Sequence, residues 1–324
     1  MKWLITGGCG FLGTSLIKYL KKDESNSIRI IDNLSVGKKA DLSKVCEFRE
    51  IELANLTDNF NDIEFIEGDI RDTKLALDIV RGCDVIVHFA ANTGVRPSVE
   101  VPRQDMEINV VGTFNYLEAA RLNKIPKFIF ASSGAPAGEV DPPIHEELPP
   151  HPVSPYGASK LAGEGYCSSY YRTFGIETIA LRFGNVYGPG SLNKNSVVAK
   201  FIKQAVEGDV LEIFGDGNQT RDFIYISDLI EAIILAAHSS GFGGETFQIA
   251  TNKETSIDEL AQILINKLSN FGYSNTKLIN GEKKIGDVHR NFSDTSKARE
   301  LLGWTSSTPL NDGLEKTIKY FLNN

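Results

Sequence analysis

Lys2-Trp3-Leu4-Ile5-Thr6-Gly7-Gly8-Cys9-Gly10-Phe11-Leu12-Gly13 stands almost at the start of the chain, and its reading decides the fold. Lys2 to Thr6 is an apolar run that stops at the glycines, and beyond them Leu12, Leu16, Ile17 and Leu20 recur at helical spacing. The pattern predicts a buried strand, a glycine turn and a helix. Gly7 permits the tight turn, Gly10 lets backbone N–H groups approach a pyrophosphate at the helix N-terminus, and Gly13 allows close packing of helix on sheet. Phe11 and Leu12, the first residues of that helix, are counted with the glycines as cofactor-binding.

The spacing Gly7-x-x-Gly10-x-x-Gly13 is a variant of the Rossmann dinucleotide fingerprint. A second apolar run, Ile28 to Ile31, ends in Asp32, about 20 residues past the glycines, where an acidic residue bonds the adenosine ribose hydroxyls. A carboxylate there repels a 2′-phosphate, and Asn33-Leu34-Ser35 offers no arginine to receive one. The expected cofactor is NAD, with Asn33 beside Asp32 in its site. Residues 36–61 are polar and without clear period, and read as a long loop with one or two short helices. Ile63 to Glu67 alternates as a strand into Gly68-Asp69-Ile70-Arg71-Asp72. There Asp69 could bond the adenine amino group and Ile70 pack on the ring, or both could be turn chemistry.

Val85 to Ala91 reads as a buried strand whose end, Phe89-Ala90-Ala91, would let the backbone lie against a ribose. His88 within it is read as a packed core residue without a catalytic role. Residues 92–102 form a loop carrying Arg96, and 109–121 a helix. Phe128 to Ala131 is another strand, and it delivers Ser132-Ser133-Gly134 to the carboxyl edge of the sheet, where open α/β sheets bind ligands.

The chain's 324 residues exceed the usual single-domain size and suit a large domain with a smaller companion. The balance of 34 basic to 42 acidic residues, without a basic run, argues against nucleic-acid binding. The four cysteines form no C-x-x-C pair, so neither a metal site nor a disulfide framework is expected. No apolar run reaches the ~18 residues of a membrane span. The expectation is a soluble, cytoplasmic protein with reduced thiols.

Tyr156-Gly157-Ala158-Ser159-Lys160 is where the chemistry is expected. A phenol and an ammonium four residues apart on a helix share one face. The lysine charge would stabilise the phenolate, lower a phenol pKa of about 10, and make Tyr156 a proton shuttle.

Together, the glycine turn, Asp32, the serine at a strand end and Tyr156-x3-Lys160 resemble the extended short-chain dehydrogenase/reductase superfamily over nearly the whole chain. Arg182-Phe183-Gly184-Asn185-Val186-Tyr187-Gly188-Pro189, then Gly215-Asp216-Gly217 with Thr220-Arg221-Asp222-Phe223, then Gly286-Asp287-Val288, are similar to its nucleotide-sugar epimerase and dehydratase group. The resemblance implies a Rossmann-type doubly wound parallel sheet in residues 1–180, completed by about 222–250. A smaller α/β nucleotide-sugar domain would follow from 181–221 and 251–324. It implies Ser133, Tyr156 and Lys160 as catalytic residues, with Lys160 also on the nicotinamide ribose. Asn185, Arg221 and Asp287 would bind the diphosphate, a phosphate and the nucleoside ribose, with Arg290 counted among the substrate-binding residues. It also implies a homodimer through the helix after Tyr156 and the one over 109–121.

Two departures narrow the chemistry. The dehydratases of this group follow the catalytic hydroxyl with Asp-Glu, and the uronate decarboxylases place a glutamate one position later. Here those positions read Gly134-Ala135, neither of which can move a proton, and Pro136-Ala137-Gly138 replaces the usual Val-Tyr-Gly. What remains needs only a base and a reversible hydride transfer, so the expected function is NAD-dependent 4-epimerisation of a UDP-linked sugar through a transient 4-keto sugar. Asn291, four positions after Asp287, falls where the resemblance gates the sugar's 2-substituent, and its size suits N-acetylhexosamines beside plain hexoses. Gly94-Val95-Arg96-x-Ser98 resembles a segment of the uronic-acid 4-epimerases, which would put Arg96 near a carboxylate or the diphosphate. UDP-glucuronate epimerase, keto-sugar reductase, 4,6-dehydratase and a non-catalytic NAD-sensing protein are the alternatives.

Overall fold

The structure is a computed structural model that describes residues 1–274, 276–282 and 288–324. Strand β1 (Lys2–Thr6) buries its last four residues, and α1 (Phe11–Leu20), after the glycine turn, buries Leu16, Ile17 and Leu20. The chain continues through β2 (Ser27–Asp32), α2 (Lys39–Ser43), β3 (Arg49–Glu50), β4 (Ile63–Glu67), α3 (Thr73–Ile79) and β5 (Val85–His88). Next come α4 (Val95–Glu100), α5 (Pro102–Met106), a π turn (Glu107–Val111) running directly into α6 (Gly112–Leu122), β6 (Lys127–Ser133), α7 (Pro155–Phe174) and β7 (Glu177–Phe183). The remainder comprises β8 (Asn185–Tyr187), α8 (Val197–Glu207), β9 (Leu211–Phe214), β10 (Thr220–Arg221), β11 (Phe223–Tyr225), α9 (Ile226–His238), β12 (Glu245–Ile249), β13 (Thr255–Ser256), α10 (Ile257–Ser269), β14 (Leu278–Gly281), α11 (Ser296–Leu302) and α12 (Leu310–Leu322).

Eight strands form one sheet in the order β12-β7-β6-β5-β1-β2-β4-β3, and β1 pairs in parallel with both β2 and β5. The chain therefore leaves β1 in one direction through β2 and β4 and in the other through β5 and β6. That reversal makes the carboxyl end of β1, where the glycine turn lies, the switch point at which such sheets bind ligands. Leu4, Ile31, Ile86, Phe128 and Phe130 of the sheet bury one face against Tyr116, Leu117 and Ala120 of α6 and Cys167 and Tyr170 of α7.

The chain packs as two compact units. The first comprises Met1–Gly138, Pro149–Arg182 and Ala232–Phe247; the second comprises Glu139–Leu148, Phe183–Glu231 and Gln248–Asn324. Within the second, β8 pairs in parallel with β11 and β14 with β9. Asp228 fastens its C-terminal part, accepting from the N–H groups of Ser307 (3.0 Å) and Thr308 (2.8 Å) while its carbonyl takes the Trp304 indole N–H (2.9 Å).

Three local expectations change. Residues 95–100, expected as loop, form α4, because Pro97 falls in the first turn, where a missing N–H breaks no helical bond. Residues 36–61 carry α2 and a 3₁₀ turn (Leu53–Asn55) but also the edge strand β3, whose two residues are too few to show a period. Residues 227–237, where Ser227 followed by Asp228 predicts a helix capped by that serine, belong to α9, which starts at Ile226, so Ser227 lies inside its first turn and donates to Asp228 Oδ1 at 3.3 Å.

Candidate active site

The turn after β1 is fixed by backbone contact. Gly7 adopts φ +71°, and a Cβ there would stand 2.9 Å from the Ala90 nitrogen. At Gly13 a Cβ would lie 2.5 Å from both the Gly7 carbonyl oxygen and the Gly8 Cα, so only glycine lets α1 start this close to the turn. Helix α1 begins at Gly10 with no side-chain cap and no acidic residue in its first turn, which leaves its positive end for an anion. The buried Asp32 carboxylate ends β2 and accepts from the N–H groups of Cys9 (2.9 Å) and Leu34 (2.8 Å); burial pushes its carboxyl above the ordinary value against those two bonds. An uncapped helix terminus, a cradle that Cβ atoms would fill, and a carboxylate at the neighbouring strand end form the donor and acceptor set that a dinucleotide requires.

The other cofactor candidates gather on adjacent strand ends. Asn33 is exposed and donates from Nδ2 to Asp69 Oδ2 at 3.2 Å. Arg71 grips Asp69 with Nε (3.0 Å) and Nη2 (2.8 Å), which holds that carboxyl down at about 2. Ile70 is buried, and Gly112 makes room for it: a Cβ there would meet Ile70 Cδ1 at 2.5 Å. After β5, the Phe89 N–H bonds the Thr6 carbonyl (3.2 Å) and the Ala90 N–H the Thr6 hydroxyl (3.1 Å), while Phe89, Ala90 and Ala91 stay half-buried. Sequence reasoning missed Gly37, which is buried where a Cβ would lie 2.4 Å from the Cys9 carbonyl and 2.8 Å from the Gly10 nitrogen. The available signal was a lone glycine five residues past Asp32.

Ser133 ends β6, and Tyr156 and Lys160 stand on the first turns of α7. That helix begins where it does because Pro155 occupies its first position and the Ser154 hydroxyl caps it, accepting from the Gly157 N–H at 3.1 Å. Gly157 lets α7 approach the strand end, since a Cβ there would come within 2.7 Å of the Ala135 carbonyl oxygen. Tyr156 thereby stands half-buried near Ser133, whose side chain pulls its phenol down. Lys160 is buried; its Nζ donates to the Ala131 carbonyl (2.8 Å) and lies 5.9 Å from the Tyr156 ring centroid.

The electrostatics differ from the simple expectation. Burial raises the Tyr156 phenol above its ordinary value; the Ser133 bond pulls it down, and the Asp105 charge pushes it further up. Lys160 is not among the groups that move it. The reason is that both groups share one water-poor site: burial draws Lys160 itself down to about 8, against the charges of Asp105 and Glu164, and its ammonium is directed at a backbone carbonyl. The expected lowering of the phenol pKa by Lys160 is absent from this structure.

Residues Ala135–Ala137 close into one 3₁₀ turn with Pro136 and Ala137 buried. The carboxylate that acts on the phenol is Asp105, which lies on α5. His88 is buried between two hydroxyls, Thr6 Oγ1 at Nδ1 (3.0 Å) and Thr113 Oγ1 at Nε2 (3.2 Å). The Thr113 hydroxyl already donates to the Asn109 carbonyl (2.6 Å), so the ring proton belongs on Nε2 and the Thr6 hydroxyl donates to Nδ1. Burial draws His88 down to about 3, consistent with a neutral structural residue.

In the second unit, Asn185 is exposed on β8 with its N–H bonded to the Asp222 carbonyl (2.7 Å). Arg221 directs Nη1 to the Thr220 (2.6 Å) and Val288 (2.8 Å) carbonyls. Arg290 forms two 2.7 Å bonds to Glu254, holding that carboxyl at about 2, and Asn291 is half-buried. Asp287 lies outside the described residues. In the first unit, Arg96 is 85% exposed and pairs with Glu100 at 2.8 Å. Among the described residues no three His, Cys, Asp or Glu side chains stand together as a metal would need, and no helix is long and apolar enough to cross a membrane.

Residues 3–250 match the family described as "NAD dependent epimerase/dehydratase family". The chain is 37% identical over 326 residues to a putative UDP-glucose 4-epimerase of Methanocaldococcus jannaschii, covering 99% of this chain and 98% of that one. Among solved structures it is similar to a UDP-glucose 4-epimerase of Thermotoga maritima with UDP-glucose, at TM-score 0.88 and 32% identity over 100% of this chain and 99% of that one. It is equally similar in fold to a UDP-N-acetylglucosamine 4-epimerase of Methanobrevibacter ruminantium in complex with UDP-N-acetylmuramic acid, at TM-score 0.88 and 30% identity, covering 99% and 98%.

Proposed function

The chain belongs to the NAD-dependent epimerase/dehydratase family, and from that premise we infer that it is an NAD-dependent 4-epimerase of a nucleotide sugar. The observation that carries the reading is a half-buried tyrosine whose phenol a strand-end serine side chain pulls down, beside a buried lysine, with Gly134-Ala135-Pro136-Ala137 rather than a carboxylate next to the serine. NAD, when bound, supplies the acceptor for the hydride of carbon 4 and a positive charge in its oxidised form. Tyr156 takes the proton of the sugar 4-hydroxyl as carbon 4 becomes a ketone and gives it back when carbon 4 is reduced on the other face. Ser133 hydrogen-bonds the same oxygen throughout. Lys160, buried on the next turn of α7, supplies an ammonium to bind the nicotinamide ribose. Gly134 and Ala135 after Ser133 supply no acid or base for dehydration, so the reaction ends as an epimer.

The first unit would hold the cofactor through Gly7, Gly10, Phe11, Leu12, Gly13, Asp32, Asn33, Asp69, Ile70 and residues 89–91. The second would hold the nucleotide sugar through Asn185, Arg221, Asp287, Arg290 and Asn291. The relatives support a UDP-hexose or UDP-N-acetylhexosamine. Arg96, engaged with Glu100 on an exposed face, lends the uronate reading no weight. A homodimer is supported by the exposed Phe114, Tyr166 and Phe174 on α6 and α7, whose rings meet edge-on through Tyr170. Four free, buried thiols suit a cytoplasmic location.

Incubation of the purified protein with UDP-, GDP- and dTDP-sugars without added cofactor tests the function. Epimer without net redox is expected; stoichiometric NADH consumption with a keto-sugar would assign a reductase instead.

A further inference from the structure

Asp105 lies on α5, outside every motif read from the sequence, and is completely buried. Its Oδ1 accepts from Asn109 Nδ2 (3.0 Å) and Asn92 Nδ2 (3.3 Å), whereas its Oδ2 is buried without a hydrogen-bond partner. Asn109 stands in the π turn before α6. Its amide nitrogen also reaches Ser159 Oγ (3.1 Å), and its Oδ1 accepts the Asn92 N–H (2.8 Å). Ser159 sits between Tyr156 and Lys160 and donates to the Tyr156 carbonyl at 3.0 Å. A carboxylate, two amides and a hydroxyl therefore join α5 to the turn of α7 that carries the reacting pair.

A buried carboxylate with an unsatisfied oxygen is costly unless a cation stands near it. We propose that Asp105 is the buried counter-charge of Lys160, a positioning residue that keeps the lysine an ammonium and, through Asn109 and Ser159, holds the first turn of α7. The proposal rests on Tyr156 and Lys160 being the reacting pair.

The titratable groups facing Lys160 come from several elements: Asp105 from α5, His88 from β5, and Tyr156, Glu164 and Cys167 along α7 itself. His88 is neutral and Cys167 is a thiol that burial pushes up. Glu164 is already bonded by Arg182 Nε (2.8 Å) and Nη2 (2.7 Å) and by the Ser132 hydroxyl (2.5 Å). Asp105 thus remains the carboxylate without a cation of its own, and it is the foremost charge opposing the burial that draws Lys160 down to about 8. The same charge raises the Tyr156 phenol. One residue thereby biases both titrations in the same direction, raising the lysine and the phenol alike.

The test is the pH profile of epimerisation for Asp105→Asn, with NAD in excess and Tyr156→Phe as control. Removing the charge lowers both titrations, so both limbs of the bell are expected to move to lower pH by about one unit, with activity gained on the acid side of the wild-type profile and lost at its alkaline end. Asp105→Glu, which keeps the charge, leaves the limbs in place. Should Asp105→Asn fail to fold by circular dichroism, Asp105→Ser, which leaves room for a water, is read in the same way. A bell reduced in height but unmoved would overturn the proposal and leave Asp105 a packing residue. Wild-type rates in Tyr156→Phe would instead overturn the assignment of the reacting pair.

Discussion

The glycine turn after β1 and the first turns of α7 face the same chemistry and are built in opposite ways. The turn works by backbone: Gly7, Gly13 and Gly37 are glycines because a Cβ at each would stand less than 3 Å from another backbone atom. Helix α7 works by side-chain charge in a buried place, where Tyr156 is raised and Lys160 lowered from their ordinary values. Steric fit is local and insensitive to pH, whereas protonation depends on every charge nearby. Substitutions in the first region should remove cofactor, and substitutions in the second should alter chemistry while the cofactor stays bound.

The largest effect expected is on the chemical side. Tyr156→Phe should lower kcat by about 10³-fold, within the range for losing a positioned acid-base group, while retaining NAD as judged by nicotinamide absorbance of the denatured protein. Loss of NAD in the same variant would erase the distinction between the regions. Next, Gly37→Ala should weaken NAD binding at least about tenfold by calorimetry, because a methyl there meets the Cys9 carbonyl at 2.4 Å. Unchanged affinity would show that the loop moves aside without consequence.

A third effect concerns the strand end shared by both regions. His88 is neutral in the fold, drawn down to about 3, and titrates near its ordinary 6.5 when unfolded. Below pH 6.5 the unfolded chain binds a proton that the folded chain does not, so stability should fall by up to about 1.4 kcal/mol per pH unit between pH 6 and pH 4 from this residue. Urea unfolding at pH 6, 5 and 4 should show a shallower slope in His88→Gln, and equal slopes would remove His88 as the cause. The smallest effect belongs to Arg96→Ala. An exposed pair with Glu100 contributes little, so activity on UDP-glucose should stay within about twofold.

What sequence disclosed follows the same division. The strand, glycine turn and helix at residues 2–20 were legible because apolar period and glycine spacing are local properties. Ser133 and Tyr156-x3-Lys160 were legible as a pattern, and the structure places Ser133 at the end of β6 near the first turns of α7, where its side chain pulls the Tyr156 phenol down. The direction of the Tyr156 shift was not legible, since the burial and the Asp105 charge that set it come from tertiary packing. Asp105 passed as an ordinary polar residue before the helix expected over 109–121, and Asn109 as that helix's first residue, for nothing in 102–111 shows that the segment turns inward. Gly37 was overlooked in a polar stretch because its need for glycine lies in Cys9, 28 residues earlier.

The central claim is that the Tyr156–Lys160 pair performs reversible oxidation at carbon 4 and nothing further. UDP-glucose carrying deuterium at carbon 4 measures this directly, by proton NMR of the product after incubation without added NAD. The account predicts UDP-galactose with the deuterium still on carbon 4, because the hydride that leaves is the one that returns. Unlabelled epimer, or a 6-deoxy-4-keto product, would contradict it.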